Sequence, residues 1–309
     1  MSSKSMMLAA ALIAVCLLAG CRGGGSGSIL DPEDVRKGTK GLEMDFIERN
    51  PPDEIYEDST FSLGIELENQ GAADITQGIL KVGIDRTFME WDQAPSQVSS
   101  VRLEGKTVTR PSGEQDFLNF RLYARPLPPN IETHTTQITV TSCYDYKTIA
   151  AFDVCIDTDI YGQGLFEKAC EVEDLTSSGQ GGPVAVTRAE PTMLPHEKED
   201  RIMPQFRITV ANKGGGRSFR KDLVKEMCTG ATIDIKGFNT AEVNAYLSEE
   251  ALECRPHYVN LEERDAEVVC ALTEGIPVEF GSYKTPLTVT IDYGYTDSMS
   301  KQVEIKDVR

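Results

Sequence analysis

Apolar and polar positions alternate along this chain in short runs, and two of those runs recur. Leu63, Ile65 and Leu67 form one alternating stretch that ends on Asn69-Gln70-Gly71. Phe206, Ile208 and Val210 form another, ending on Asn212-Lys213-Gly214 at an offset of 143 residues. A period of two places one face of a strand on a core and the other in water. Asn and Gly supply the positive φ that a tight turn requires, so each run is predicted to be a strand closed by a turn.

A second pair of segments repeats without a gap. Ile138 to Ile156 aligns with Leu287 to Ile305 at an offset of 149, with seven identical positions. They are Thr139/Thr288, Val140/Val289, Thr141/Thr290, Tyr144/Tyr293, Tyr146/Tyr295, Val154/Val303 and Ile156/Ile305. Each segment reads as a closing hairpin, turning in the first copy near Lys147 to Ala150. The shift from 143 to 149 implies a net six-residue insertion in the second copy. Asn50-Pro51-Pro52 and Leu194-Pro195 interrupt an earlier strand in each copy, as prolines do at a sandwich edge. The main helical exceptions are expected at Phe219 to Met227 and Ala241 to Leu252.

These patterns predict an all-β chain of two tandem immunoglobulin-like antiparallel β-sandwich domains. The expected boundaries are 41–157 for the first domain, 158–182 for a linker with a Gly/Ser stretch, and 183–309 for the second. The Asn-x-Gly strand end together with the terminal hairpin resembles the CARDB-type and related immunoglobulin-like modules of archaeal and bacterial surface proteins. That resemblance covers most of both domains at the level of pattern. It implies a surface-exposed spacer, adhesion or binding module without catalytic residues, and it assigns no functional residue here. Acidity and module type lean towards an archaeal source.

The first residues change the picture from a free protein to an anchored one. One Lys precedes an apolar run from Met6 to Ala19, about 14 residues long, whereas a spanning helix needs ~20. Residues 1–20 therefore read as a secretion signal. Leu18-Ala19-Gly20-Cys21 resembles the lipobox of prokaryotic lipoproteins, which implies cleavage before Cys21 and a lipid on its thiol. Residues 21–40, with their GGGSGS run, are the expected flexible tether. The expected location is the extracytoplasmic face of the cell membrane, with the membrane itself engaged through Cys21. Loss of residues 1–20 removes Lys4 and takes the formal charge from −18 to −19. Such acidity repels nucleic acid, which is set aside as a partner, and draws basic partners or divalent cations.

Beyond Cys16 and Cys21, six cysteines remain, an even number that suggests structural disulfides in an exported protein. A hairpin register places Cys143 across from Cys155; Cys254 and Cys270 flank two strands; Cys228 is then left for Cys170. The competing scheme joins Cys155 to Cys170 and leaves Cys143 for a distant partner.

Catalytic chemistry has little to build on. His134, His196 and His257 lie far apart in sequence. His196-Glu197-Lys198-Glu199-Asp200 opens like a metalloprotease helix but has Asp where the second His belongs. Asn212 to Ser218 lacks the order of a phosphate loop, and Asp157-Thr158-Asp159 departs from a calcium loop at Tyr161 and Lys168. A looser calcium site at the domain junction would draw on Asp153, Asp157 and Asp159. No enzyme, no cofactor and no metal site is expected. The expected role is a membrane-anchored cell-surface lipoprotein acting in structure, adhesion or protein interaction, with an extracellular or envelope protein as partner. The alternative is a ligand-binding lipoprotein that captures a small molecule, glycan or metal ion in an interdomain crevice.

Overall fold

The computed structural model describes residues 35–92, 98–162, 167–231 and 234–308. The expected signal segment, Cys21 and most of the expected tether fall outside that range. The described chain is all-β, in three sheets. One has four strands in the order β1 (Leu42–Phe46), β3 (Thr60–Asn69), β7 (Gln115–Ala124) and β5 (Met89–Trp91). A second runs β15 (Glu253–Arg255), β17 (Asp265–Ala271), β11 (Arg201–Asn212), β10 (Val184–Pro195) and β9 (Leu175–Thr176), with β18 (Ile276–Pro277) beside β11. The third has nine strands. Its main path is β14 (Glu250–Ala251), β13 (Thr240–Leu247), β19 (Ser282–Lys306), β8 (Thr133–Asp157), β4 (Ile75–Gly83) and β6 (Val98–Leu103). Beside it lie β12 (Arg217–Phe219), β16 (Tyr258–Asn260) and β2 (Glu54–Tyr56). Pairing is antiparallel except where β2 runs parallel to the end of β19.

The repeated segments do not fold into hairpins. β8 and β19 are unbroken strands of 25 residues each, paired with one another from Ser282 opposite Asp157 to Lys306 opposite Thr133. The physical reason lies at the expected turn. Lys147-Thr148-Ile149-Ala150 contains neither Gly, Pro nor Asn, and two of its residues are β-branched, so nothing there favours reversal. Thr136, Ile138, Val140, Tyr144, Tyr146, Thr148, Ala150, Val154 and Ile156 are buried on one face of β8, and that face never switches. Val303 and Ile305 of β19, the repeat partners of Val154 and Ile156, are buried likewise.

This pairing joins the two copies through their long strands. The first half of β8 pairs with β4, and its second half continues across to the part of β19 that pairs with β13. The end of β19 reaches back beside β2 of the first copy. Segments 41–157 and 183–309 therefore each lend half a strand to the other, and a single apolar core runs through both. Repeat positions Asp145 and Gly294 face each other at the centre of the long pair, which marks an approximate two-fold axis. The connecting segment 158–182 starts at the far end of the second sandwich and returns to the centre. It is held on the way by β9 pairing with β10.

Of the two expected helices, one forms in part: α1 covers Val224–Thr229, after a 3-10 turn at Lys221–Leu223. The other is β13, because Ala241, Val243, Ala245 and Leu247 alternate into the core and tertiary contact overrides the helical preference of Ala, Glu and Leu. In the first copy, Thr76 follows Ile75 directly into β4. In the second, the segment carrying α1 is inserted between β12 and β13.

Candidate functional site

Four tyrosines form the junction of the two copies. Ring centroids of Tyr144 and Tyr146 lie 5.7 Å apart, Tyr146 and Tyr293 6.0 Å, Tyr293 and Tyr295 6.2 Å, and Tyr144 and Tyr295 6.0 Å, closing a square. All four are buried. Each hydroxyl is committed. Tyr146 donates to Asn69 Oδ1 at 3.2 Å and Tyr295 to Asn212 Oδ1 at 3.0 Å. Those same oxygens accept the Gly71 and Gly214 N–H groups, both at 3.2 Å. The Asn-x-Gly motif therefore does a different job from the one expected. Neither Gly71 nor Gly214 is among the described residues with positive φ. A Cβ at either position would collide with the hydroxyl of Tyr146 or Tyr295, and it is this close approach that selects glycine.

The other two hydroxyls anchor the first strand of each copy. Tyr144 Oη accepts the Leu42 N–H at 3.2 Å. Tyr293 belongs to a closed cycle: Val184 N–H donates to Tyr293 Oη at 3.2 Å, Thr148 Oγ1 donates to the Val184 carbonyl at 2.6 Å, and Tyr293 donates to Thr148 Oγ1 at 2.9 Å. Burial raises all four phenols above their ordinary value, Tyr295 to about 12. The core of the junction is thus filled by the four rings, while a cleft of about 350 Å³ lies between Gln77 and Asp145 of the first copy and Lys221, Asp222 and Glu242 of the second.

The six cysteines form three bridges: Cys143–Cys228, Cys155–Cys170 and Cys254–Cys270. Two expected pairs are corrected. Cys143 cannot meet Cys155, because both lie on the one straight strand β8. Cys228 lies on α1, which docks on the outer face of the nine-stranded sheet with Val224, Phe219 and Cys143 buried together and Ile79 against them. The competing scheme is the one observed: Cys155 holds Cys170 of the connecting segment, and Cys143 takes a distant partner. Cys254 and Cys270 sit directly opposite each other on β15 and β17.

The histidines stay apart. His134 stacks on Phe88 at 3.6 Å, and His257 lies 3.1 Å from Glu242. His196 occupies the turn between β10 and β11, and the run His196 to Asp200 forms no helix. Asp157 and Asp159 lie at the far end of the second sandwich and not at the junction. There Lys168 Nζ meets Asp157 Oδ2 at 2.6 Å, and this hydrogen bond raises the lysine pKa. Among the described residues no group of three or more His, Cys, Asp or Glu is placed to hold a metal ion.

That same end of the molecule carries a cleft of about 590 Å³. It brings together Asp157, Asp159, Pro195 and His196, which the sequence marked separately, with Ile160, Ile202 and Val278, which it did not mark. Only the fold could join them, since they come from the end of β8, the β10–β11 turn and the approach to β19.

No family model and no curated protein matches this chain. Among solved structures it is similar to the secreted serine protease VesC from Vibrio cholerae, with 9% identity, a TM-score of 0.22, and coverage of 82% of this chain and 50% of that one. It is also similar to the serine-rich repeat adhesion glycoprotein Srr1 from Streptococcus agalactiae, with 7% identity, a TM-score of 0.17, and coverage of 91% and 100%. The sporulation control protein Spo0M from Bacillus subtilis gives 9% identity and a TM-score of 0.16, with 56% and 80% covered. The chain spans half the length of the VesC structure. Likeness at this level carries no argument about activity.

Proposed function

We propose that this chain is a lipid-anchored lipoprotein of the extracytoplasmic membrane face, whose folded part serves as a structural or protein-interaction module. The observation that carries the reading is Leu18-Ala19-Gly20-Cys21 at the end of a short apolar run, followed by a Gly/Ser tether and then a body closed by three disulfides. Disulfides persist where the compartment is oxidising. The resemblance to CARDB-type surface modules supports the same role. Fusion of both copies through one sheet makes the body suited to presenting a fixed surface rather than to hinging.

The test is intact mass and membrane partition of the full chain beside Cys21→Ser. The expected result is loss of residues 1–20, a gain of lipid mass and pelleting with membranes for the native chain, and release of the variant. Equal solubility and equal cleavage of the two forms would overturn the anchor. A second reading, ligand capture, is favoured by one observation, the cleft beside Asp157.

A further inference from the structure

The cleft at the far end of the second sandwich has an apolar floor and an acidic rim. Ile160 and Ile202 supply the floor, Pro195 and Val278 extend it towards the mouth, and Tyr161 stands exposed at its edge. Its volume of about 590 Å³ falls within the ~300–1,000 Å³ typical of small-ligand sites.

The charges around it do not cancel. Its two permanent cations are already engaged. Lys168 is held by Asp157 at 2.6 Å, and Arg201 Nη1 is hydrogen-bonded to the carbonyls of Glu274 and Gly275 at 2.8 and 3.0 Å. His196 Nδ1 accepts the Lys198 N–H at 3.0 Å, and its Nε2 lies 3.0 Å from the Thr273 carbonyl. Glu167, Glu199 and Glu279 line the cleft, and among the described residues none of them forms an ion pair. An anion entering this space meets uncompensated carboxylates over an apolar floor, and a neutral polar molecule gains nothing from either. An ammonium group on an apolar body satisfies both, and the face of an exposed tyrosine adds attraction for a cation.

We infer that this cleft binds a small organic amine, a positively charged nitrogen carried on an apolar ring or chain. The inference deepens the ligand-capture reading and rests on it, but it does not depend on the lipid at Cys21. Its test therefore succeeds or fails apart from the partition experiment.

Three probes sharing an indole ring separate the contributions: tryptamine, tryptophol and indole-3-acetate, titrated calorimetrically into the purified full chain. Saturable one-site binding of tryptamine is expected, about tenfold or more tighter than tryptophol, with indole-3-acetate the weakest. The double variant Glu199→Gln and Glu279→Gln should weaken tryptamine about fivefold. Val278→Lys, at a residue 40% or more exposed (44%) and therefore tolerated by the fold, should abolish binding while circular dichroism stays unchanged. Equal binding of all three probes, absence of tryptamine binding, or binding indifferent to Val278→Lys would each overturn the inference. The last outcome would mean that a cation is merely attracted to an acidic protein.

Discussion

Removing the Thr148 hydroxyl tests whether the crossing of β8 into the second sandwich is locked by the cycle through Tyr293 and Val184. In Thr148→Val the side-chain shape is kept and the oxygen is lost. Tyr293 then holds a buried donor with no partner, at a cost of ~1–3 kcal/mol, and the bond to the Val184 carbonyl, worth ~1 kcal/mol, disappears. The added methyl returns ~0.8 kcal/mol by burial. The net loss is about 2 kcal/mol, which in a chain of this size lowers Tm by roughly 4–8 °C. Thr148→Ser keeps the hydroxyl and gives up only a methyl, ~0.8 kcal/mol, so its Tm should fall by no more than about half as much. Differential scanning calorimetry of the three proteins with disulfides intact decides the matter. A valine variant as stable as the parent, or a serine variant as weakened as the valine one, would refute the cycle as a lock.

Two further outcomes follow from the junction and the bridges. Because burial raises the pKa of Tyr144, Tyr146, Tyr293 and Tyr295, the folded state favours their protonated form. Their contribution is whole below the ordinary phenol value of ~10 and is lost as pH climbs through the folded values, with Tyr295 at about 12. Phenolate absorbance of these four should therefore rise together with loss of the strand circular-dichroism signal, and their ionisation in an intact fold would contradict the assignment. Cys143–Cys228 closes a separation of 85 residues and Cys155–Cys170 one of 15. Chain entropy alone assigns them ~4.6 and ~3 kcal/mol. Paired serine substitutions at 143 and 228 should accordingly lower the urea midpoint further than those at 155 and 170, and the reverse order would refute the entropic ranking.

The class of fold was legible because alternation survives in every major strand, from Leu63 to Leu67 and from Phe206 to Val210. The repeat was legible too, since Tyr144, Tyr146 and their partners keep their spacing. The connection between copies was not legible by analogy with a closing hairpin, although Lys147 to Ala150 offered no turn chemistry. A strand that runs on must find a partner elsewhere, and sequence does not say where. Ala241 to Leu252 misled for the opposite reason: its composition favours a helix, while the alternation of Ala241, Val243, Ala245 and Leu247 serves a sheet. The Asn-x-Gly motif was seen, but its partner, a tyrosine hydroxyl from a strand far along the chain, was visible only in three dimensions. The cleft residues gave no joint signal because no two of their segments are contiguous.

The shared long strands also decide what happens when the chain is cut. A protease that severs the connecting segment between Asp174 and Gly182 breaks no sheet at the centre of the molecule. The two fragments remain zipped along β8 and β19, and Cys143–Cys228 joins them covalently. Nicking thus leaves the body in one piece, while releasing either half requires both reduction and the unpairing of twenty-five facing positions. A cut in this segment is thus tolerated by the connectivity of the strands and the bridge alone.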